Sequence, residues 1–211
     1  MKVTRIKSLC KDAHQCIIYE HMDRQYIGTT SAIYPADNMQ LDKLSICTLF
    51  DMPDAVQALR VERRMLEESD IMPETFDFAG VCGTERQLRE SIVINYLGDT
   101  LLGLVDDAAG MLLFVEMDYI RAAEKTEGYL IYHLAENKKG EPLVILSDGM
   151  IVTGVVKPIP KKTANSARGL LWALGSLSAI GSPDAGVAEE QPAEQLPGQM
   201  DMQEMLEEEG E

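Results

Sequence analysis

The run PLVILSDGMIVTGVVKP, residues 142–158, decides the fold class. Leu143–Leu146 and Met150–Val156 are dominated by β-branched and aliphatic residues, which suit buried strands. Between them lies Ser147-Asp148-Gly149, in which Asp148-Gly149 supplies the positive φ angles of a type I′ turn. Two apolar runs joined by so short a turn must lie antiparallel. The spacing therefore predicts a β-hairpin, and a sheet built from local pairings.

Upstream the same texture continues. Ser91–Tyr96, Thr100–Val105, Met111–Val115 and Tyr129–Ala135 read as strands. Leu97-Gly98-Asp99, Asp106–Gly110 and Asn137–Gly140 punctuate them as turns. Glu116–Lys125 reads as a short helix returning between strands. Nearer the start, Val3–Lys11 is amphipathic, with Ile6, Leu9 and Cys10 on one face. Cys16–Glu20 and Tyr26–Tyr34 read as strands broken at His21–Arg24. Leu41, Leu44, Cys47 (or Thr48) and Leu49 carry a helical pattern that ends near Asp51. Pro53 suits the first turn of a further helix, Asp54–Glu68, with Val56, Leu59 and Met65 buried. Asp70–Thr84 reads as a loop, with one irregular strand at Thr75–Val81. The expected class is α+β: a mostly antiparallel sheet with flanking helices, plus a disordered acidic C-terminal tail.

Three regions follow from this reading: a globular domain over 1–160, a connector with a C-terminal helix over 161–181, and a tail over 182–211. Lys157–Lys162 holds two prolines and three lysines and reads as a stiff connector, and Ala164–Ala179 as a helix with Leu170, Leu171, Leu174 and Leu177 on one side. From Asp184 onward there are ten carboxylates, no Lys or Arg, three prolines counting Pro183, and no aromatic residue. Such a stretch buries too little apolar area to offset its ordering entropy.

The formal charge of the 211-residue chain is −16, and ten of those charges sit in the tail. An excess of carboxylates opposes phosphate binding, so direct nucleic-acid recognition is not expected. The most apolar segment, Gly169–Gly181, is shorter than the ~20 residues needed to cross hydrocarbon, and no membrane association is expected. Nothing near Met1 resembles a secretory signal. The four cysteines, Cys10, Cys16, Cys47 and Cys82, then read as thiols in a reducing, cytoplasmic compartment.

No run matches a catalytic signature, so no catalytic residue, cofactor or metal is assigned. Cys10, His14, Cys16 and His21 are the densest set of metal-ligand types, but they lack the paired knuckle of structural zinc sites. The expectation is buried thiols and exposed histidines. Asp99, Asp106 and Asp107 are the acids that acid–base or Mg²⁺ chemistry would need, but each lies in a predicted turn, where aspartate bonds the local backbone. The glycines from Gly98 to Gly110 form no phosphate loop.

The tail offers the one candidate binding segment. In GQMDMQEMLEEE, Asp201 can cap a short helix with Glu204 three residues on, placing Met202, Met205 and Leu206 on one face. Burying three such side chains contributes about 5–9 kcal/mol gross. Ordering the segment costs about 2–5 kcal/mol, which leaves a weak contact needing a second one on the body.

Gln199-Met200-Asp201-Met202-Gln203 resembles the motif by which replication and repair proteins dock onto the bacterial sliding clamp. Four of the five positions fit, and Gln203 stands where the motif has an aromatic residue. The resemblance implies a replication protein, such as the sliding clamp, as partner, with Gln199, Met200, Asp201 and Met202 in contact, and the helical face adds Met205 and Leu206 to the candidate binding residues. Further upstream, CIIYE (16–20), QYIGTTSAIYPA (25–36), GMLLFVEMDYIRAA (110–123) and PLVILSDGMIVTGVVKPI (142–159) are similar to uncharacterised proteins of prophages and mobile elements of gut Firmicutes. That resemblance carries over no catalytic residue. The alternation of short strands, with a Gly-turn hairpin near the end, is also similar to half of a clamp-type domain, as an analogy of fold alone.

The leading expectation is a non-enzymatic phage or mobile-element accessory protein that acts by protein–protein binding. An acidic DNA mimic and an enzyme with a dispersed site are the alternatives.

Overall fold

The computed structural model describes residues 2–36, 40–50, 59–74, 86–124 and 129–160. In chain order they form α1 (Val3–Asp12), β1 (Gln15–His21), β2 (Arg24–Gly28), β3 (Ala32–Pro35) and α2 (Lys43–Leu49). Then come β4 (Arg60–Met65), a 3-10 turn (Leu66–Glu68), β5 (Arg86–Tyr96), β6 (Asp99–Asp106) and β7 (Met111–Glu116). The last are α3 (Met117–Ala123), β8 (Leu130–Glu136), β9 (Pro142–Asp148) and β10 (Ile151–Val156). The class is α+β, with one ten-stranded sheet in the order β4-β1-β2-β3-β10-β9-β8-β5-β6-β7. Every neighbouring pair is antiparallel except β1 with β4.

One face of the sheet is covered by α1 and α3, with Ile46 of α2 in the same core. Ile6 and Cys10 of α1 and Ile120, Ala122 and Ala123 of α3 pack on Ile18, Tyr34, Leu104, Leu134, Val144 and Leu146. The helices are tied together where Lys2 N–H donates to Ala122 O at 2.9 Å. Tyr34 Oη–H donates to Tyr119 O at 2.8 Å, fixing α3 to β3. On the other face the central strands are roofed by Leu66, Ile71 and Met72, which cover Ile17, Tyr19, Tyr26, Ile33, Leu143 and Ile145. Burial on both faces is why CIIY and LVIL read as continuous apolar runs rather than alternating ones.

The roof is held by Asn137 at the β8–β9 turn. Its Nδ2 donates to Asp70 O and to Glu141 Oε2, and its Oδ1 accepts from the Lys139 and Glu141 N–H groups. Lys139 adds an ion pair to Asp70 at 2.8 Å, which lowers the Asp70 pKa through that hydrogen bond and charge.

The structure corrects the sequence reading at five places. The helix expected over Asp54–Glu68 is, in its described part, strand β4 and a 3-10 turn. β1 is a buried strand whose second edge needs backbone partners, and β4 supplies them in parallel from Arg60 to Met65. The strand expected over Tyr26–Tyr34 is two strands. Thr29 N–H bonds Ala32 O and Ser31 N–H bonds Thr29 Oγ1, folding the chain back. Gly28 permits that turn, since a Cβ there would lie 1.9 Å from Ala32 O. β5 begins at Arg86, five residues before Ser91. The β9–β10 loop is Gly149-Met150, one residue later than expected, with positive φ at Gly149 alone, the type II′ pattern. In α2 the buried residue is Ile46, while Leu44 is exposed: Ile46 and Phe50, four residues apart, share the inward side, and Leu44 falls off it.

The hairpins around Asp23, Gly98 and Gly110 form as expected, and Ile6 and Cys10 are buried on α1. No helix among the described residues is long and apolar enough to cross a membrane. The expected strand at Thr75–Val81, the helix at Ala164–Ala179 and the acidic tail lie outside the described residues.

Candidate partner-binding rim

Strand directions divide the hairpins between two poles. Strands β1, β3, β4, β5, β7 and β9 run one way and β2, β6, β8 and β10 the other. Three two-residue loops point to one pole: Met22-Asp23, closed by His21 and Arg24; Leu97-Gly98, closed by Tyr96 and Asp99; and Gly149-Met150, closed by Asp148 and Ile151. Each carries one large apolar side chain. Met22 is 86% exposed, Leu97 85% and Met150 73%, and Tyr129, which enters β8 at the same pole, is 94% exposed. Met65 and Ile151 are also exposed here.

The opposite pole is built differently. Its turns are Thr29-Thr30-Ser31, Asp107-Ala108-Ala109-Gly110 and Asn137–Glu141, made of polar and small residues. That is ordinary turn chemistry. Apolar tips therefore belong to one pole and are not a general habit of these hairpins.

Two of the tips also break backbone preference. Met22 has φ of 51° and Leu97 of 54°, in the left-handed region that bulky residues avoid at a cost of roughly 1–2 kcal/mol each. At such positions Asn or Gly relieves the backbone, so two long apolar side chains exposed there are a local rule broken twice at one pole. Each tip is also next to an aspartate: Asp23 follows Met22, Asp99 follows Leu97-Gly98, and Asp148 precedes Gly149-Met150. Met22-Asp23 and Gly149-Met150 are three strands apart in the sheet order, on the order of 14 Å at ~4.8 Å per strand, while β5 runs eight residues past Leu88, its last partner on β8, before Leu97-Gly98, which sets that tip farther out.

Beside the rim the sheet forks. β5 pairs with β8 only through Arg86, Gln87 and Leu88, whereas it follows β6 as far as Tyr96, with a bulge between Glu90 and Ile92. A cleft of about 470 Å³ opens there, lined in part by Leu88, Glu90, Leu130, Ile131 and Tyr132. Tyr132 Oη–H donates to Glu90 Oε1 at 2.7 Å, and burial with this carboxylate beside it pushes the tyrosine pKa up. Arg89 grips Asp107 through two bonds of 3.0 and 3.1 Å, which lower the Asp107 pKa.

The residues singled out from sequence fall out as follows. Gln199, Met200, Asp201, Met202, Met205 and Leu206 lie outside the described residues, as does Cys82. Cys10 and Cys16 are buried, and hydrogen bonding to Cys16 together with burial raises the Cys10 pKa and keeps it a thiol. His21 is not exposed as expected. It packs half-buried against Glu67, and the Glu67 pKa is lowered by a backbone hydrogen bond first and by His21 second. Among the described residues no group of His, Cys, Asp and Glu is placed to hold a metal ion. Asp106 Oδ1 accepts from the Ala108 and Ala109 N–H groups and Oδ2 pairs with Arg86 at 2.7 Å, the turn role expected of it. His133 Nε2 lies 3.0 Å from Ser147 Oγ, but Ser147 is wholly buried and closed to a substrate.

The sequence reading does not single out the rim, because it takes Met22 and Leu97 as parts of turns and Met150 and Tyr129 as the first residues of strands. The signal was present: a large apolar residue beside Asp or Gly in HMDR, YLGD and DGMI. No protein-family model, curated protein or solved structure matches the chain.

Proposed function

We propose that this protein is a non-enzymatic accessory protein that works by binding another protein through the apolar rim. The observation that carries the reading is the contrast between the poles: Met22, Leu97 and Met150 top the three hairpins of one, and polar turns close the other. Exposed apolar groups rimmed by polar ones mark interaction sites. Aspartates beside every tip favour a protein surface with apolar sockets bordered by Lys and Arg. They disfavour an anionic lipid surface, where each carboxylate would be repelled. The resemblance to prophage and mobile-element proteins supports a phage or mobile-element setting, and the clamp-motif resemblance of Gln199–Gln203 supports a replication component as partner. In that reading the tail adds a second, weaker contact.

The test places a photo-crosslinking residue at Met22, Leu97 or Met150, and at Ala108 on the opposite pole as control, in the expressing host. A discrete protein adduct from the three tips and none from Ala108 supports the reading. Equal labelling from both poles overturns it. The same adduct is expected to weaken, and to persist, when residues 184–211 are removed.

A further inference from the structure

Among the described residues, three of the unpaired edge stretches are treated unequally. On β4, Arg60, Glu62, Arg63 and Arg64 put charge on four of six positions, a common protection against stray strand pairing. On β7, the segment after β10 closes the edge where Ile159 N–H donates to Phe114 O at 2.9 Å. The third is the distal part of β5. From Ser91 to Tyr96, no strand among the described residues lies on the side away from β6. That run, SIVINY, has no charge and three β-branched residues, and Val93 is 54% exposed. A bulge at Glu90/Ile92 lies just past Leu88, where β5 parts from β8.

We infer that this edge pairs with the same edge of a second copy of the chain, antiparallel and about a two-fold axis. The occupant follows from the chemistry. A foreign strand would be selected by charge or by shaped pockets, and SIVINY presents no charge, whereas a second copy brings an identical neutral, β-branched edge. Val93 and Asn95 turn their N–H and C=O groups away from β6, so Val93 opposes Val93 of the other copy at the axis, with Ile92 against Ile94 and Ser91 against Asn95, and apolar meets apolar at the centre. A ladder of six residues runs about 20 Å and lies below the roughly 1,600 Å² of a standard interface, so the dimer is reversible and grows with concentration. This inference is separate from the rim reading, since the edge is backbone of β5 and the tips are side chains of loops.

The experiment is sedimentation velocity on the full chain from dilute to concentrated solution, with Val93→Lys in parallel. The wild type is expected to move from its monomer mass toward twice that value, and Val93→Lys, which places like charges near the axis, to remain at the monomer mass with its far-ultraviolet circular dichroism unchanged. A second variant, Val93→Cys, is expected to give an oxidised dimer whose linked peptide joins position 93 of the two copies. A wild type that stays monomeric at high concentration overturns the inference, as does a dimer that survives Val93→Lys with no 93–93 link. Met22→Asn with Met150→Ser is expected to leave the dimer intact while reducing tip crosslinks, so failure of either proposal is seen separately.

Discussion

Asn137 Nδ2 donates to the main-chain oxygen of Asp70 at 2.8 Å, joining the β8–β9 turn to the segment that roofs the far face of the sheet. The same side chain accepts two N–H groups of its own turn, so one buried amide organises both elements. Asn137→Ala would leave the Asp70 carbonyl and two N–H groups without their partner. An unsatisfied buried group costs about 1–3 kcal/mol. The expected loss is about 2–4 kcal/mol, read as a lower urea midpoint with an unchanged slope.

Gly28 faces a fixed neighbour. Its added Cβ would meet Ala32 O at 1.9 Å and Ala32 C at 2.9 Å, and both are backbone atoms that no rotamer change can move. Gly28→Ala is expected to destabilise by about 3 kcal/mol or more, at the upper end of overpacking effects. Gly110→Ala meets nothing within 4 Å but holds φ at +60°, and is expected to cost about 1–2 kcal/mol. Thermal melts of the two variants check the order.

Glu116 ends β7 and stands at the N-cap of α3, where burial first, and then the Asp99 and Asp118 charges, raise its pKa. A carboxyl whose folded pKa lies above its unfolded value binds protons more tightly when folded. Its contribution to stability therefore falls as pH rises from the unfolded pKa through the folded one, and the penalty is complete above the folded pKa. Glu116→Gln is expected to stabilise at pH 7 by less than about 1 kcal/mol, with the gain vanishing below the unfolded pKa. Asp70, Glu67 and Asp107 carry lowered values and act in the opposite sense: their contribution is lost as pH falls through their folded pKa values. Denaturation series at pH 3 to 7 separate the two behaviours.

Leu97 holds a left-handed backbone for which leucine is poorly suited. Leu97→Asn is expected to raise stability by up to about 1 kcal/mol while lowering the yield of rim crosslinks. A variant that melts higher yet binds less is what a side chain kept for contact rather than for folding would give. Equal binding with higher stability would remove Leu97 from the rim.

Much of the sheet was legible because its turns are local. Leu97-Gly98 and Asp106–Gly110 close strands whose partners lie next in the chain, so turn chemistry and apolar runs fix their pairing. The helical spacing of Val56, Leu59 and Met65 misled because the partner of β4 is β1, more than forty residues away, and no short window contains it. For the candidate site the position of each turn was readable. That Met22, Leu97 and Met150 share one pole depends on the direction of every strand between them.

By itself the sequence determined the class, most of the strands, the apolar face of α1 and the gathering of acid in the last stretch, because these follow from the preferences of neighbouring residues. Only the tertiary structure decided the order of the ten strands, the conversion of Arg60–Met65 to an edge strand, and the pole on which the apolar tips gather. The physical reason is that backbone groups of a sheet must find partners wherever the chain can supply them, and that demand is met across distances no local preference encodes.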